Sequence, residues 1–492
     1  MARLANTERG LSPRAIRQLY IACVTSVADY GSVIWWKGQA QFKKPLQALQ
    51  NLALRKILGV FRTAPIVPME VEASLLPPSI RLSKSVRQYA FHALKLAPSH
   101  PINVEIARLD PVTPARPTQL ERIRDSIQGL VDTESLEQIE YFKFPPWRRN
   151  TPYSVEICPL PKDEARIYTD ASSMEDSTGI GVGLAILHQG QVSHRVKTNL
   201  GTNQLVYNGE LEGATRAIEY ASQVAQPGHH FKVYSDNQAG LYRLQSTSDN
   251  PGQACQIRAI NAANQIAEKG ARISLHWVPG HSDIAGNELA DSLAKEASKE
   301  VSQLQETSFA LLGLKIKQTS STSWHALLQK HDQDHRSNPA TYSKNFTWRL
   351  QSRIQLPQGT KRELASALYQ LKIGHGYLKS YLYRFNHSAN DKCKCGQKET
   401  PEHLLLSCIE LKEARNKLKK EMKGIRLSLS TLLHTRLGIE KTLGFLRETR
   451  IATRRWHLER RTEEEEGSEG GEGGQGGEGG EGGEGEEVEE EE

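Results

Sequence analysis

The stretch that decides the fold runs His276-Trp277-Val278-Pro279-Gly280-His281-Ser282-Asp283-Ile284-Ala285-Gly286-Asn287-Glu288-Leu289-Ala290-Asp291. Residues 272–278 read as a strand, Pro279-Gly280-His281 as a loop, and 284–297 as a helix that carries Asp291. Outward from it, short β runs keep alternating with helical spacings. Residues 166–169, 179–188 and 191–200 read as strands, the last two joined by a hairpin at Gln189-Gly190. Helical spacing follows over 205–224, a short β run over 231–235, a short helix over 238–245 and a longer one over 255–269. The order β-β-β-α-β-α-α-β-α predicts an α/β fold, a mixed sheet flanked by helices.

Four acids fall at positions that ask for a joint explanation. Asp170 closes the first strand, Glu210 lies in the first turns of the helix after the hairpin, Asp236 closes the fourth strand, and Asp291 rides the last helix. In a mixed sheet the carboxyl ends of adjacent parallel strands meet at one rim, so Asp170 and Asp236 are expected there. Helices packed over that rim would bring in Glu210 and Asp291. Taken singly, each acid could be a turn, a cap or a solvated helix face. Together they would repel one another and raise each other's pKa unless cations neutralise them. Hard oxygen ligands suit Mg²⁺ or Mn²⁺, and two such ions about 4 Å apart form a clamp for in-line attack at a phosphodiester.

The segment Trp277–Asp291, with its Pro-Gly-His loop, Gly-Asn-Glu turn and acid-bearing helix, resembles the type I ribonuclease H family. The resemblance covers residues 163–299. It implies a mixed five-stranded sheet with helices on both sides, and cleavage of the RNA strand of an RNA–DNA hybrid to leave 5′-phosphate and 3′-hydroxyl ends. Asp170 then corresponds to the ligand that bridges two metal ions. Asp291 corresponds to the acid on the side of the attacking water, and Glu210 and Asp236 to those on the leaving-group side. His281 corresponds to the mobile loop histidine that assists proton transfer or product release. Asn208, Asn237 and Gln238 take positions of substrate contact, where a 2′-hydroxyl separates RNA from DNA. Two departures stand out: Ala171 replaces a glycine common after the first Asp, and Gly209 replaces a residue such as Ala before Glu210.

The flanks add a second chemistry. Cys393, Cys395, His403 and Cys408 are spaced C-x-C-x7-H-x4-C, a donor set for a structural Zn²⁺, although three reduced cysteines in a loop would give the same letters. Cys393-Lys394-Cys395-Gly396 and Glu402-His403-Leu404-Leu405, with Leu371–Leu378 upstream, resemble the C-terminal knuckle of non-LTR (LINE-like) retrotransposon polyproteins. Residues 1–100 read as helical, with Leu46, Leu49, Ala53, Ile57 and Val60 on one face, and resemble the segment that follows the polymerase core in such polyproteins. No Tyr-x-Asp-Asp or similar paired-Asp turn occurs, so polymerase chemistry is not expected. Residues 101–162 hold nine of the 22 prolines and read as a linker. Residues 320–461 read as a basic helical region that includes the knuckle at 393–408.

The formal net charge is +6, yet residues 463–492 hold 15 Glu and no Lys or Arg. That Glu/Gly tail cannot bury apolar surface and is expected to be disordered, either as a loose counter-charge or with no role. The remainder carries +21, a balance that expects a nucleic-acid partner. The opening residues have no apolar signal core. The best membrane candidate, residues 19–36, is interrupted by polar groups, and the cysteines outside the cluster are isolated. An intracellular protein of nucleus or cytoplasm is therefore expected, neither secreted nor membrane-bound, with its oligomeric state open. The reading is a metal-dependent ribonuclease H within a retrotransposon-derived chain. The alternative is a catalytically inactive nucleic-acid-binding remnant.

Overall fold

A computed structural model describes residues 2–469 apart from 113–114, 140–141, 143–144, 157–164, 303, 305 and 336–340. The chain forms two compact units, residues 86–319 and residues 1–85 together with 320–492.

The first unit is built on the expected mixed sheet, with one strand more than expected. Its strands are β1 (Ser154–Glu156), β2 (Ala165–Ser172), β3 (Gly181–His188), β4 (Gln191–Asn199), β5 (His230–Ser235) and β6 (Arg272–Trp277), in the order β1-β6-β5-β2-β3-β4. β2, β3 and β4 are antiparallel neighbours, whereas β2, β5, β6 and β1 run parallel. The β3–β4 hairpin turns at Gln189 and Gly190, both at positive φ, 50° and 80°. Positive φ at both central positions gives the turn a twist that suits flanking strands. β1 is the extra strand, and it comes from the stretch read as a linker. That stretch also holds the helices Pro101–Ala107 and Gln119–Asp125, the latter opened by a Thr118–Glu121 capping box.

Four helices dress the sheet: α1 (Val206–Val224), α2 (Gln238–Gln245), α3 (Gln253–Glu268) and α4 (Ala285–Ala297). The main core joins Ile167, Val182, Leu184, Val233 and Leu275 of the strands to Leu211, Ala214, Ile218, Ala259 and Ile266 of α1 and α3. On the other face Tyr168, Ala185 and Tyr234 pack against Ala290 and Leu293 of α4. Glycines set how closely the helices approach. A Cβ on Gly183 would strike the backbone of α4, and one on Gly213 would strike Thr169 of β2.

The second unit is helical. In Ala40–Leu58 the buried stripe is Ala53, Leu54, Ile57 and Leu58, with Gln50 beside it. Leu49, expected inside, is 38% exposed. This helix shares a core with Leu364, Leu368 and Leu371 of Arg362–Ile373, and with Leu432, Leu443 and Leu446 near the C-terminus. No helix among the described residues is long and apolar enough to cross a membrane. The expectation for the Glu/Gly tail falls mostly outside the described residues, although residues 463–469 continue the helix Arg454–Glu469.

Candidate active site and metal-binding groups

Register explains why the first two acids meet. Thr169 of β2 lies opposite Ser235 of its parallel neighbour β5, so the next residues, Asp170 and Asp236, stand side by side at the same rim. Asp170 is not quite the last strand residue, since β2 runs on to Ser172 and pairs Asp170 with Gly183. Helix α1 lowers Glu210 onto this rim. Carboxylate oxygens of Asp170, Glu210 and Asp236 all lie within 4.8 Å of one another.

The contact that brings α1 so near runs through Gly209 and Ala171. A Cβ on Gly209 would lie 2.8 Å from the Ala171 methyl and 2.7 Å from Ile180 Cγ2. A side chain at Gly209 would therefore meet both β2 and the residue before β3.

The electrostatics follow from burial and like charge. Burial, then the Asp236 charge, pushes the Asp170 carboxyl up to about 7. Burial, then Asp170, pushes Glu210 up to about 9, and Glu210 Oε2 is buried with no hydrogen-bond partner. Asp236 is raised chiefly by burial, against the pull of an Asn287 hydrogen bond and the His281 charge. The Ala171 amide donates to Asp170 Oδ1 at 2.7 Å. A buried, unpartnered carboxylate oxygen among three converging carboxylates is the environment a hard cation fits.

Asp291 stands outside the 4.8 Å group. Its charge still raises Asp170 and Asp236, but its Oδ2 is taken by Lys295 Nζ at 2.6 Å. His281 is exposed, with φ of 52°, in a loop where Asp283 also has positive φ, 55°. Such conformations cost free energy and gather at functional loops. Asn208 is buried with Oδ1 unpartnered and its amide on Gln204 Oε1 at 3.2 Å. Asn237 Oδ1 accepts from the Gly240 amide at 2.9 Å and so caps α2, while Gln238 is exposed.

Sequence reading passed over three neighbours of the site. Asn287 hydrogen-bonds Asp236, Trp277 Nε1 donates to the Asp236 carbonyl at 3.0 Å, and Lys295 holds Asp291. Only Lys295 left a signal, as the i+4 cation on the helix of an acid.

In the helical unit the four expected donors also converge. One atom each from Cys393, Cys395, His403 and Cys408 lies within 4.8 Å of the others. The Cys393 and Cys408 sulfurs are 3.7 Å apart, and Cys395 Sγ is 3.1 Å from His403 Nε2. A tetrahedral shell with metal–sulfur bonds of about 2.3 Å has sulfur–sulfur edges of about 3.8 Å, whereas a disulfide needs about 2.05 Å. Burial raises the Cys393 thiol to about 12, and the Gln397 amide lowers Cys395. Burial lowers His403, which favours the neutral imidazole that a metal requires.

Among solved structures the chain is similar to ribonuclease H1 of the halophilic archaeon Halobacterium salinarum NRC-1, at 20% identity over 27% of this chain and 97% of that one, with a TM-score of 0.23. It is similar to the N-terminal ribonuclease H domain of rv2228c from Mycobacterium tuberculosis, at 20% identity over 28% and 99%, with a TM-score of 0.23. It is also similar to LC11-RNase H1, isolated from compost by a metagenomic approach, at 19% identity over 28% and 96%, with a TM-score of 0.22. The family model described as RNase H matches residues 162–299, so the chain carries a ribonuclease H domain over that span.

Proposed function

We propose that residues 162–299 cleave the RNA strand of RNA–DNA hybrids, with Asp170, Glu210, Asp236 and Asp291 holding two Mg²⁺ or Mn²⁺ ions. The observation that carries this is the convergence of two buried carboxylates, one with an unpartnered oxygen, and a half-buried third on adjacent parallel strand ends and a helix. Divalent ions held by these carboxylates would activate water at neutral pH and would offset the charge that develops in an in-line displacement. The chain's own residues do the rest. Asp170, with Oδ1 fixed by the Ala171 amide, is held in one orientation between Glu210 and Asp236. Asn287 and Trp277 hold Asp236 through its side chain and its carbonyl. Asp291 joins the group by giving up Lys295, and the exposed His281 moves protons at the departing end. Asn208, Asn237 through its free amide, and Gln238 contact the hybrid.

The Cys393, Cys395, His403 and Cys408 shell holds a structural Zn²⁺ in this reading. The chain is a retrotransposon-derived product in which the ribonuclease H domain is accompanied by a knuckle and no polymerase site.

The test is hydrolysis of an end-labelled RNA–DNA hybrid in Mg²⁺ by the full chain beside Asp236→Asn. Cleavage of the RNA strand that drops by more than about 100-fold in the variant is expected, since ligand shells tolerate little change. Equal cleavage in both proteins, or none in either, would overturn the assignment. The second outcome, with hybrid binding intact in EDTA, identifies a binding remnant instead.

A further inference from the structure

Charge is shared unequally between the two units. Residues 86–319 hold 23 Lys and Arg against 26 Asp and Glu, a net −3, whereas residues 1–85 and 320–492 hold 40 against 31, a net +9, which becomes +24 with the 15 Glu of residues 463–492 set aside. The unit with the carboxylate site therefore carries no positive excess to attract a polyanion.

Within the helical unit, one dense array of unpaired cations follows the Cys/His cluster. The helix Lys412–Glu421 starts just past Cys408, and Arg415 Nη1 donates to the Cys408 carbonyl at 2.6 Å. Leu418 and Met422 are buried, which turns Lys412, Lys419 and Lys420 to solvent, with Lys423 and Arg426 exposed in the turn that follows. Nearby basic groups are engaged: Lys417 holds Glu448 at 2.8 Å, and Lys394 holds Glu463 at 2.6 Å. Of the two acids on the helix, Glu421 lies 3.8 Å from Lys441, and Glu413 sits in the first turn, where it suits the helix dipole. Cations strung along fifteen residues, fixed to a metal-binding cluster at one end, match a repeating line of phosphates.

We propose that the face of Lys412, Lys419, Lys420, Lys423 and Arg426 grips the phosphodiester backbone of the nucleic acid, so that the helical unit supplies most of the affinity. The choice of nucleic acid among polyanions rests on the ribonuclease H reading above.

The test measures binding alone. All proteins are full-length and carry Asp236→Asn, so affinity is read whether or not the carboxylate site cleaves. A fluorescent 20-base-pair RNA–DNA hybrid is titrated across a series of salt concentrations with K419Q/K420Q/K423Q and with a control, K37Q/K43Q/K44Q, which removes three exposed lysines of the same unit. Each lost phosphate contact lowers the slope of log affinity against log salt by about 1, so a fall of about 3 is expected for the first variant and little change for the control. Equal losses in the two variants would show diffuse attraction rather than this face and would overturn the proposal. So would an unchanged slope in the first.

Discussion

The carboxylate group at the sheet rim and the Cys/His cluster of the helical unit demand a cation in opposite ways. At the rim, burial and mutual repulsion raise Asp170 and Glu210 so far that, without an ion, protons fill the role at neutral pH. At the cluster, the geometry of a tetrahedral shell is in place, but the thiols have to lose protons before a metal can enter. The rim is held by two paired strands, β2 and β5, and by the helix α1. The cluster joins a turn at residues 393–396 to the helical turn His403–Ser407, whose Leu404 and Leu405 are anchored in the core of the unit. The difference teaches that, on the proposed reading, one site would bind and release ions during chemistry, and the other would be closed by one.

The sharpest break of this comparison is metal removal. Chelation strong enough to strip Zn²⁺, or Cys408→Ser, should destabilise the helical unit by about 4 kcal/mol, the stabilisation expected of a ligand present at 1,000 times its Kd. Calorimetry of the full chain should then show one transition shifted and the other unmoved. Cys395→Ser should leave hybrid cleavage largely intact while weakening nucleic-acid binding. Undiminished binding would deny the cluster any part in holding nucleic acid.

The next effect concerns protons at the rim. Asp170 and Glu210 bind protons more tightly folded than unfolded, so their stabilising contribution is complete below about pH 4 and is lost as pH rises towards about 9. The melting temperature of the metal-free ribonuclease H unit should therefore be lower at pH 9 than at pH 5 by about 4 °C or more. Millimolar Mg²⁺ should remove most of that difference. A melting temperature independent of Mg²⁺ at pH 9 would mean that the carboxylates do not share an ion.

The smallest effect tests the packing that makes the rim. Gly209→Ala should cost about 1–3 kcal/mol by overpacking against Ala171 and Ile180, and Ala171→Gly in the same chain should recover only the part due to Ala171. Additive losses in urea melts would show that the two positions do not couple.

Much of this was legible in the residues, because hydrophobic period and turn chemistry agree along 166–297. The order of strands and helices, the hairpin at Gln189-Gly190 and the meeting of Asp170 with Asp236 all follow from pattern. The Cys/His set was legible from spacing alone. What escaped was tertiary in origin. β1 is a three-residue strand, too short to show a period, in a stretch whose prolines argue for a linker. Leu49 is exposed and Gln50 buried because the helix rotates to hydrogen-bond Gln50 with Glu70 at 2.8 Å. The Gly209 and Ala171 departures look unrelated in a string of letters, and only the fold shows that the two positions adjoin.

β1 has a practical consequence for anyone preparing the nuclease alone. The matched span opens at residue 162, which leaves β1 behind and strips β6 of its outer partner along Ser274, Leu275 and His276. It also discards Tyr153, whose hydroxyl donates to the Leu244 carbonyl at 2.9 Å. A fragment cut there would expose a bare row of amides and carbonyls ready to recruit a second molecule. Poor behaviour of that fragment would report on where the scissors fell, not on whether the domain is sound.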